Sequence, residues 1–242
     1  MKKTITILSC LLLTTLSSAQ NEITYGIEAG LNYYSLNGDY PDELETSGNI
    51  GLKFGGFFNK EFTDKFSLQL ELLYSRQGGD TKVEEFYTDF EGNMFNESLT
   101  QEIRLDYVNL PILLRYRSDF KLFFEGGLQL GFIASAKSKF IYEDSVFPED
   151  NESISINMLE DQSFNFLGTN IQTQASLNRL EVGLLLGTGY EFNDNLALGV
   201  SYHLGLTSID KNSTYVRDFD SWNLKNSVIS FTVEYSIGNF RL

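Results

Sequence analysis

The chain has 242 residues, with 18 Lys plus Arg against 33 Asp plus Glu and one His, a formal charge of -15. So acidic a chain lacks the basic face that a phosphodiester backbone requires, so nucleic acid is excluded as a partner. A hydrophobic content of 42 % excludes wholesale disorder, and 20 Phe, 13 Tyr and 20 Gly beside 3 Pro suit strands and tight turns.

Residues 1–19 have the three-part form of a secretory signal peptide: Met1-Lys2-Lys3, an apolar stretch over 5–16, then Ser17-Ser18-Ala19 with cleavage expected after Ala19. The apolar stretch falls short of the roughly 20 residues that a membrane-spanning helix needs. Export would leave residues 20–242 as a single domain. Cys10, the only cysteine, leaves with the signal, which excludes disulfides, zinc-thiolate sites and a cysteine nucleophile from the mature chain.

From there, eight segments alternate apolar with small or polar residues: 25–36, 50–62, 66–78, 102–117, 121–134, 178–192, 196–209 and 226–238. Each exceeds the five or six residues usual in soluble domains and reaches the roughly 9–11 that a tilted strand needs to cross a bilayer. In the first, Tyr25, Ile27, Ala29, Leu31 and Tyr33 share one side, with Gly26, Glu28, Gly30 and Asn32 on the other. In the third, Phe66, Leu68, Leu70, Leu72 and Tyr74 oppose Ser67, Gln69, Glu71 and Ser75. The joins alternate in length. Tight turns at 63–65, 118–120 and 193–195 alternate with long loops at 37–49, 79–101, 135–177 and 210–225. Together with aromatic residues at the segment ends, this pattern predicts an eight-stranded antiparallel up-and-down transmembrane β-barrel in the outer membrane, with short periplasmic turns and long extracellular loops. The competing reading is a soluble up-and-down barrel, which would bury the greasy face instead.

The presumed inner face carries Glu28, Lys53, Glu71, Arg115, Glu125, Glu181, His203 and Glu234. Eight strands leave an interior that side chains just fill, so these residues form a polar plug, and the surplus of acids calls for interior water or protonated Glu. The sharper alternative is a narrow conduit for small solutes or ions.

The segment Tyr107-Val108-Asn109-Leu110-Pro111-Ile112-Leu113-Leu114-Arg115-Tyr116 resembles the Tyr-x-x-(Leu/Ile)-Pro-(hydrophobic)-(Lys/Arg)-Tyr strand of PorT-like, porin-type outer-membrane barrels, common in Gram-negative bacteria of the Bacteroidetes type. Its motif residues are Tyr107, Leu110, Pro111, Arg115 and Tyr116. The stretch 183–206 resembles a later strand, turn and strand of the same family. The resemblance implies a cell-envelope protein, with one branch tied to protein export, and it places Pro111 at a strand bulge. The chain departs from many such barrels by ending Phe240-Arg241-Leu242 rather than on an aromatic residue.

The long loops are acid-rich, and the one at 79–101 interleaves its acids with Phe86, Tyr87, Phe90 and Phe95. They are expected to form a solvated surface facing outer-membrane lipid, lipopolysaccharide or an envelope or secretion-complex protein. No EF-hand spacing, G-x-S-x-G, H-E-x-x-H or P-loop is found, so no metal, cofactor or catalytic residue is assigned. A lipid-modifying enzyme would have to rest on His203 near Ser201.

Overall fold

The computed structural model describes residues 22–39, 45–88, 94–173, 175, 177–211 and 223–241; the expected signal peptide lies outside them. In chain order the strands are β1 (Glu22–Asn37), β2 (Glu45–Ser47), β3 (Asn49–Glu61), β4 (Phe66–Thr88), β5 (Met94–Arg117), β6 (Leu122–Asp144), β7 (Glu152–Asn157), β8 (Gln162–Phe166), β9 (Thr169–Thr173), β10 (Leu180–Glu191), β11 (Leu196–Gly205) and β12 (Lys225–Arg241). A single 3-10 turn, Pro148–Asp150, is the one helical element among the described residues.

Eight of these strands close a ring in the order β1, β3, β4, β5, β6, β10, β11, β12, every pair antiparallel. The seams β6–β10 and β1–β12 complete it, so no barrel edge is left to pair with another chain. Strand period two then sorts the side chains. On β4, Phe66, Leu68, Leu70 and Leu72 are exposed on the outside while Ser67, Gln69, Glu71, Leu73 and Ser75 are buried inside. The same holds round the ring: Ile27, Leu31, Leu52, Phe54, Leu128, Leu186, Phe231 and Val233 all stand exposed outward. A continuous outward belt of Leu, Ile and Phe is incompatible with water and requires hydrocarbon around it. Aromatic pairs rim the belt, with Phe66 and Tyr116 at 5.2 Å and Tyr25 and Phe240 at 6.1 Å near the short-turn end, and Phe54 and Tyr74 at 4.9 Å toward the other.

The three short turns are built by their own polar side chains. Thr63 Oγ1 accepts from the Lys65 and Phe66 amides, Ser118 Oγ from Leu122, and Asn193 Oδ1 from Asn195 and Leu196. Lys65 Nζ reaches Asp119 at 2.9 Å across two of these turns, and that hydrogen bond raises the Lys65 pKa.

The long connections depart from their expected form. Much of 79–101 and the first part of 135–177 are strand rather than loop, because β4, β5 and β6 run on for 23, 24 and 23 residues. Their ladders continue without a break in alignment from Gln77↔Leu105 to Thr88↔Met94. With no lipid at this height the alternation of apolar and polar residues lapses, and Asp and Glu are poor strand formers, so the sequence pattern there reads as coil. The result is an upright sheet beyond the barrel, flanked by β2 on β4 and β7 on β6, with the β8–β9 hairpin beside it. Conversely, the segment at 196–209 stops as a strand at Gly205, and Ile209 turns inward.

Where the ring meets this sheet, its mouth is filled. Leu36, Ile103, Leu105, Tyr107, Ile133, Ala136, Leu177, Ile209 and Leu224 form a buried apolar cluster, with Met158 and Leu159 packed on it.

Candidate functional site: the barrel lumen

All eight inner residues named from the sequence point into the ring. Glu28, Lys53, Glu71, Arg115, Glu181, His203 and Glu234 are buried, and the Glu125 side chain is 9 % exposed. They fall into two groups.

The lower group centres on Arg115. Its guanidinium holds Glu125 on the neighbouring strand through Nε (3.0 Å) and Nη2 (2.6 Å) and Glu234 across the ring through Nη1 (2.8 Å) and Nη2 (2.6 Å), while stacking over the Phe123 ring at 4.1 Å. The ring closure itself creates the need for these cations. Glu28 on β1 and Glu234 on β12 are direct cross-strand partners, and opposed like charges repel. Arg115 neutralises Glu234, and Lys53 Nζ neutralises Glu28 at 3.1 Å. Glu71 accepts from Gln69 Nε2 at 2.8 Å, and Gln69 in turn accepts from Asn59. Glu28, Lys53, Glu71, Glu125 and Glu234 enclose a void of about 10 Å³, about the size of one water. Above them, Asn32 links Ser75 and Ser230, each at 2.8 Å.

The upper group joins Glu181, Asn226, Tyr107 and His203. Asn226 Nδ2 donates to Glu181 Oε2 (2.6 Å) and Tyr107 Oη (2.8 Å), while His203 Nε2 stands 4.0 Å from Glu181 Oε1. Neither imidazole nitrogen has a hydrogen-bond partner among the described residues. Glycines make room for both side chains: a Cβ on Gly183 would lie 2.0 Å from His203 Nε2, and one on Gly205 would lie 2.6 Å from Glu181 Oε1.

Sequence reasoning passed over the apolar part of this interior. Phe57, Leu73, Leu113, Phe123, Leu185 and Val228 are buried inside. Their signal is the doublet: Phe57-Phe58, Leu72-Leu73, Leu113-Leu114 and Phe123-Phe124 each place one apolar residue on either face of a period-two strand. Of the strand motif, Tyr107, Pro111 and Arg115 are buried inward, Leu110 is half-buried and Tyr116 stacks outside on Phe66. Pro111 does not sit at a bulge. Lacking an N–H, it lies where the β4–β5 ladder skips Glu71 and Leu72, and the register resumes unchanged. The bulge falls upstream, between Asp106 and Tyr107 in the pairing with β6.

Along the axis, the polar groups lie between the apolar cluster at the long-loop mouth and an open vestibule of about 560 Å³ at the short-turn end. The vestibule reaches Arg115 and Glu234 and is crossed at its rim by Arg117, which bridges Glu61 (2.9 Å) and Glu191 (2.8 Å). No set of three His, Cys, Asp or Glu among the described residues is arranged to hold a metal ion.

The sequence profile of the outer membrane protein beta-barrel domain family matches residues 18–211. No curated protein sequence matches the chain. Among solved structures, it is similar to Neisserial surface protein A at 10 % identity, covering 88 % of this chain and 97 % of that one, with a TM-score of 0.44. It is also similar to the attachment invasion locus protein Ail of Yersinia pestis (14 % identity, 91 % and 99 % covered, TM-score 0.38). The outer membrane protein OprG of Pseudomonas aeruginosa compares at 13 % identity, 93 % and 98 % covered, and TM-score 0.35.

Proposed function

The chain belongs to the outer membrane protein beta-barrel domain family, and from that premise we propose that it is a closed, non-conducting barrel of the outer membrane whose work is structural or interactive at the cell surface. The observation that carries this reading is the double obstruction of the axis, the Arg115–Glu125–Glu234 cluster below the apolar cluster around Leu105, Ile133 and Ile209. The upright sheet of β4, β5 and β6 supplies the surface that such a role needs. Its partners are outer-membrane lipid or lipopolysaccharide and an envelope or secretion-complex protein. The Tyr107–Tyr116 motif supports kinship with the PorT-like barrels.

Planar-bilayer recording tests the reading: the purified barrel should give no steady current steps. Steady steps would overturn it in favour of a narrow conduit, which the vestibule of about 560 Å³ favours by leading in from the periplasmic end as far as Arg115 and Glu234. An enzymatic role is disfavoured because His203 is enclosed in the lumen beside Glu181 with Gly183 against its ring. His203→Ala should leave the lipid A profile of the host unchanged.

A further inference from the structure

The outward face of β4, β5 and β6 changes character one row above the belt. The row Tyr74–Val108–Phe132 is the last apolar one. Over it the aligned rows read Arg76–Asp106–Ser135, then Gly78–Arg104–Lys137–Asn157, then Asp80–Glu102–Lys139–Ser155, with Lys82 above Asp80. Five cations of a strongly acidic chain therefore stand together on one side, at the height where hydrocarbon gives way to headgroups. Above Tyr33, by contrast, β1 continues outward with the neutral Ser35 and Asn37.

Three of the five cations are matched within the protein: Arg76 by Asp106 at 2.8 Å, Arg104 by Asp80 and Glu102, and Lys82 by Glu84. Lys137 and Lys139 are exposed and have no ion pair among the described residues. Lys137 is the cross-strand neighbour of Arg104, whose charge Asp80 and Glu102 already balance, and it lies in the field of Asp106, while Lys139 is the cross-strand neighbour of Glu102. Neither ammonium closes an ion pair with these acids, which leaves both free to meet an outside anion. Two residues apart on one face, the lysine Cα atoms are about 6.7 Å from each other, a spacing from which both ammonium groups reach one phosphate. Asn157 and Ser155 of β7 stand beside them as neutral hydrogen-bond donors.

We propose that this collar is a binding site for the phosphate-bearing glycolipid headgroups of the outer leaflet, with Lys137 and Lys139 as its principal anion ligands. It rests on the proposed surface role, which puts the long-strand end outside. The site fixes the barrel's height in the membrane and orders a glycolipid against the foot of the upright sheet.

The test reconstitutes the full mature barrel in nanodiscs of phosphatidylcholine and titrates it with bisphosphorylated lipid A, monophosphoryl lipid A or inorganic phosphate. Lys137→Gln/Lys139→Gln should bind bisphosphorylated lipid A about 25-fold more weakly than wild type, fivefold for each lysine. Lys137→Arg/Lys139→Arg should keep most of the affinity, and Lys65→Gln at the opposite rim should change nothing. Equal binding by wild type and the double Gln variant overturns the site, as does an equal loss in Lys65→Gln. Binding of inorganic phosphate as tight as that of lipid A identifies a free-anion site and also overturns it. Heat-modifiable gel migration confirms that each variant is folded. Silence in planar bilayers, measured on the same samples, tests the underlying reading separately, so the collar can fail while the closed barrel stands.

Discussion

Arg115→Met isolates the strongest electrostatic cluster in the lumen. The guanidinium makes four hydrogen bonds of 2.6–3.0 Å to two carboxylates and covers Phe123. Removing one partner of a buried ion cluster leaves uncompensated charge, typically a loss of about 3–5 kcal/mol. The vestibule beneath Arg115 admits solvent to Glu234, which puts the expected loss at the lower end, about 3 kcal/mol, or roughly two decades in the folded-to-unfolded ratio. The triple variant Arg115→Met/Glu125→Gln/Glu234→Gln removes the charges together and should return to within about 1 kcal/mol of wild type. The assay is urea unfolding in detergent micelles, read as the fraction that keeps its heat-modifiable migration. A loss below about 1 kcal/mol in the single variant, or a triple variant no better than the single, refutes the idea that Arg115 neutralises both acids.

Two further outcomes follow from the geometry. Leu70 lies midway along the β4 belt between Phe66 and Tyr74, so Leu70→Arg should cost about 2–4 kcal/mol in lipid vesicles. A cost near zero would mean that the belt does not face hydrocarbon. Gly183→Ala drives a methyl group against His203 Nε2 and the Leu204 carbonyl and should destabilise by about 1–3 kcal/mol. In the same unfolding assay, Gly183→Ala/His203→Ala should be less destabilised than the sum of the single variants, and strict additivity would contradict the contact.

The ring strands were legible because lipid on one side and a packed lumen on the other impose strict alternation, as in 66–75, where Phe66, Leu68, Leu70 and Leu72 part from Ser67, Gln69 and Glu71. Once the strand leaves the bilayer that constraint lapses. At Glu84, Glu85 and Phe86 the backbone still pairs in register, yet nothing in the side chains declares it. The inward orientation of the eight polar residues follows from the same parity. Which acid each cation meets does not, because Arg115 reaches Glu234 over a separation of 119 residues that only closure of the ring brings together. The apolar seal was hidden for a related reason: Leu177 and Leu224 lie in connections without periodicity, Ile209 sits at the end of a segment read as strand that in fact stops at Gly205, and the three acquire a common neighbourhood only at the barrel mouth.

The seam between β1 and β12 aligns Glu22 with Arg241, nearly the full length of the chain apart. Its pairing is the least local in the molecule, so loop-closure entropy opposes it until every other strand is in place. Until it forms, two open strand edges would face a solvent that offers them no hydrogen bonds. Insertion and final zippering are thereby tied into one event that waits for β12, and a ring without β12 is left as an open sheet whose unpaired edges hydrocarbon cannot satisfy.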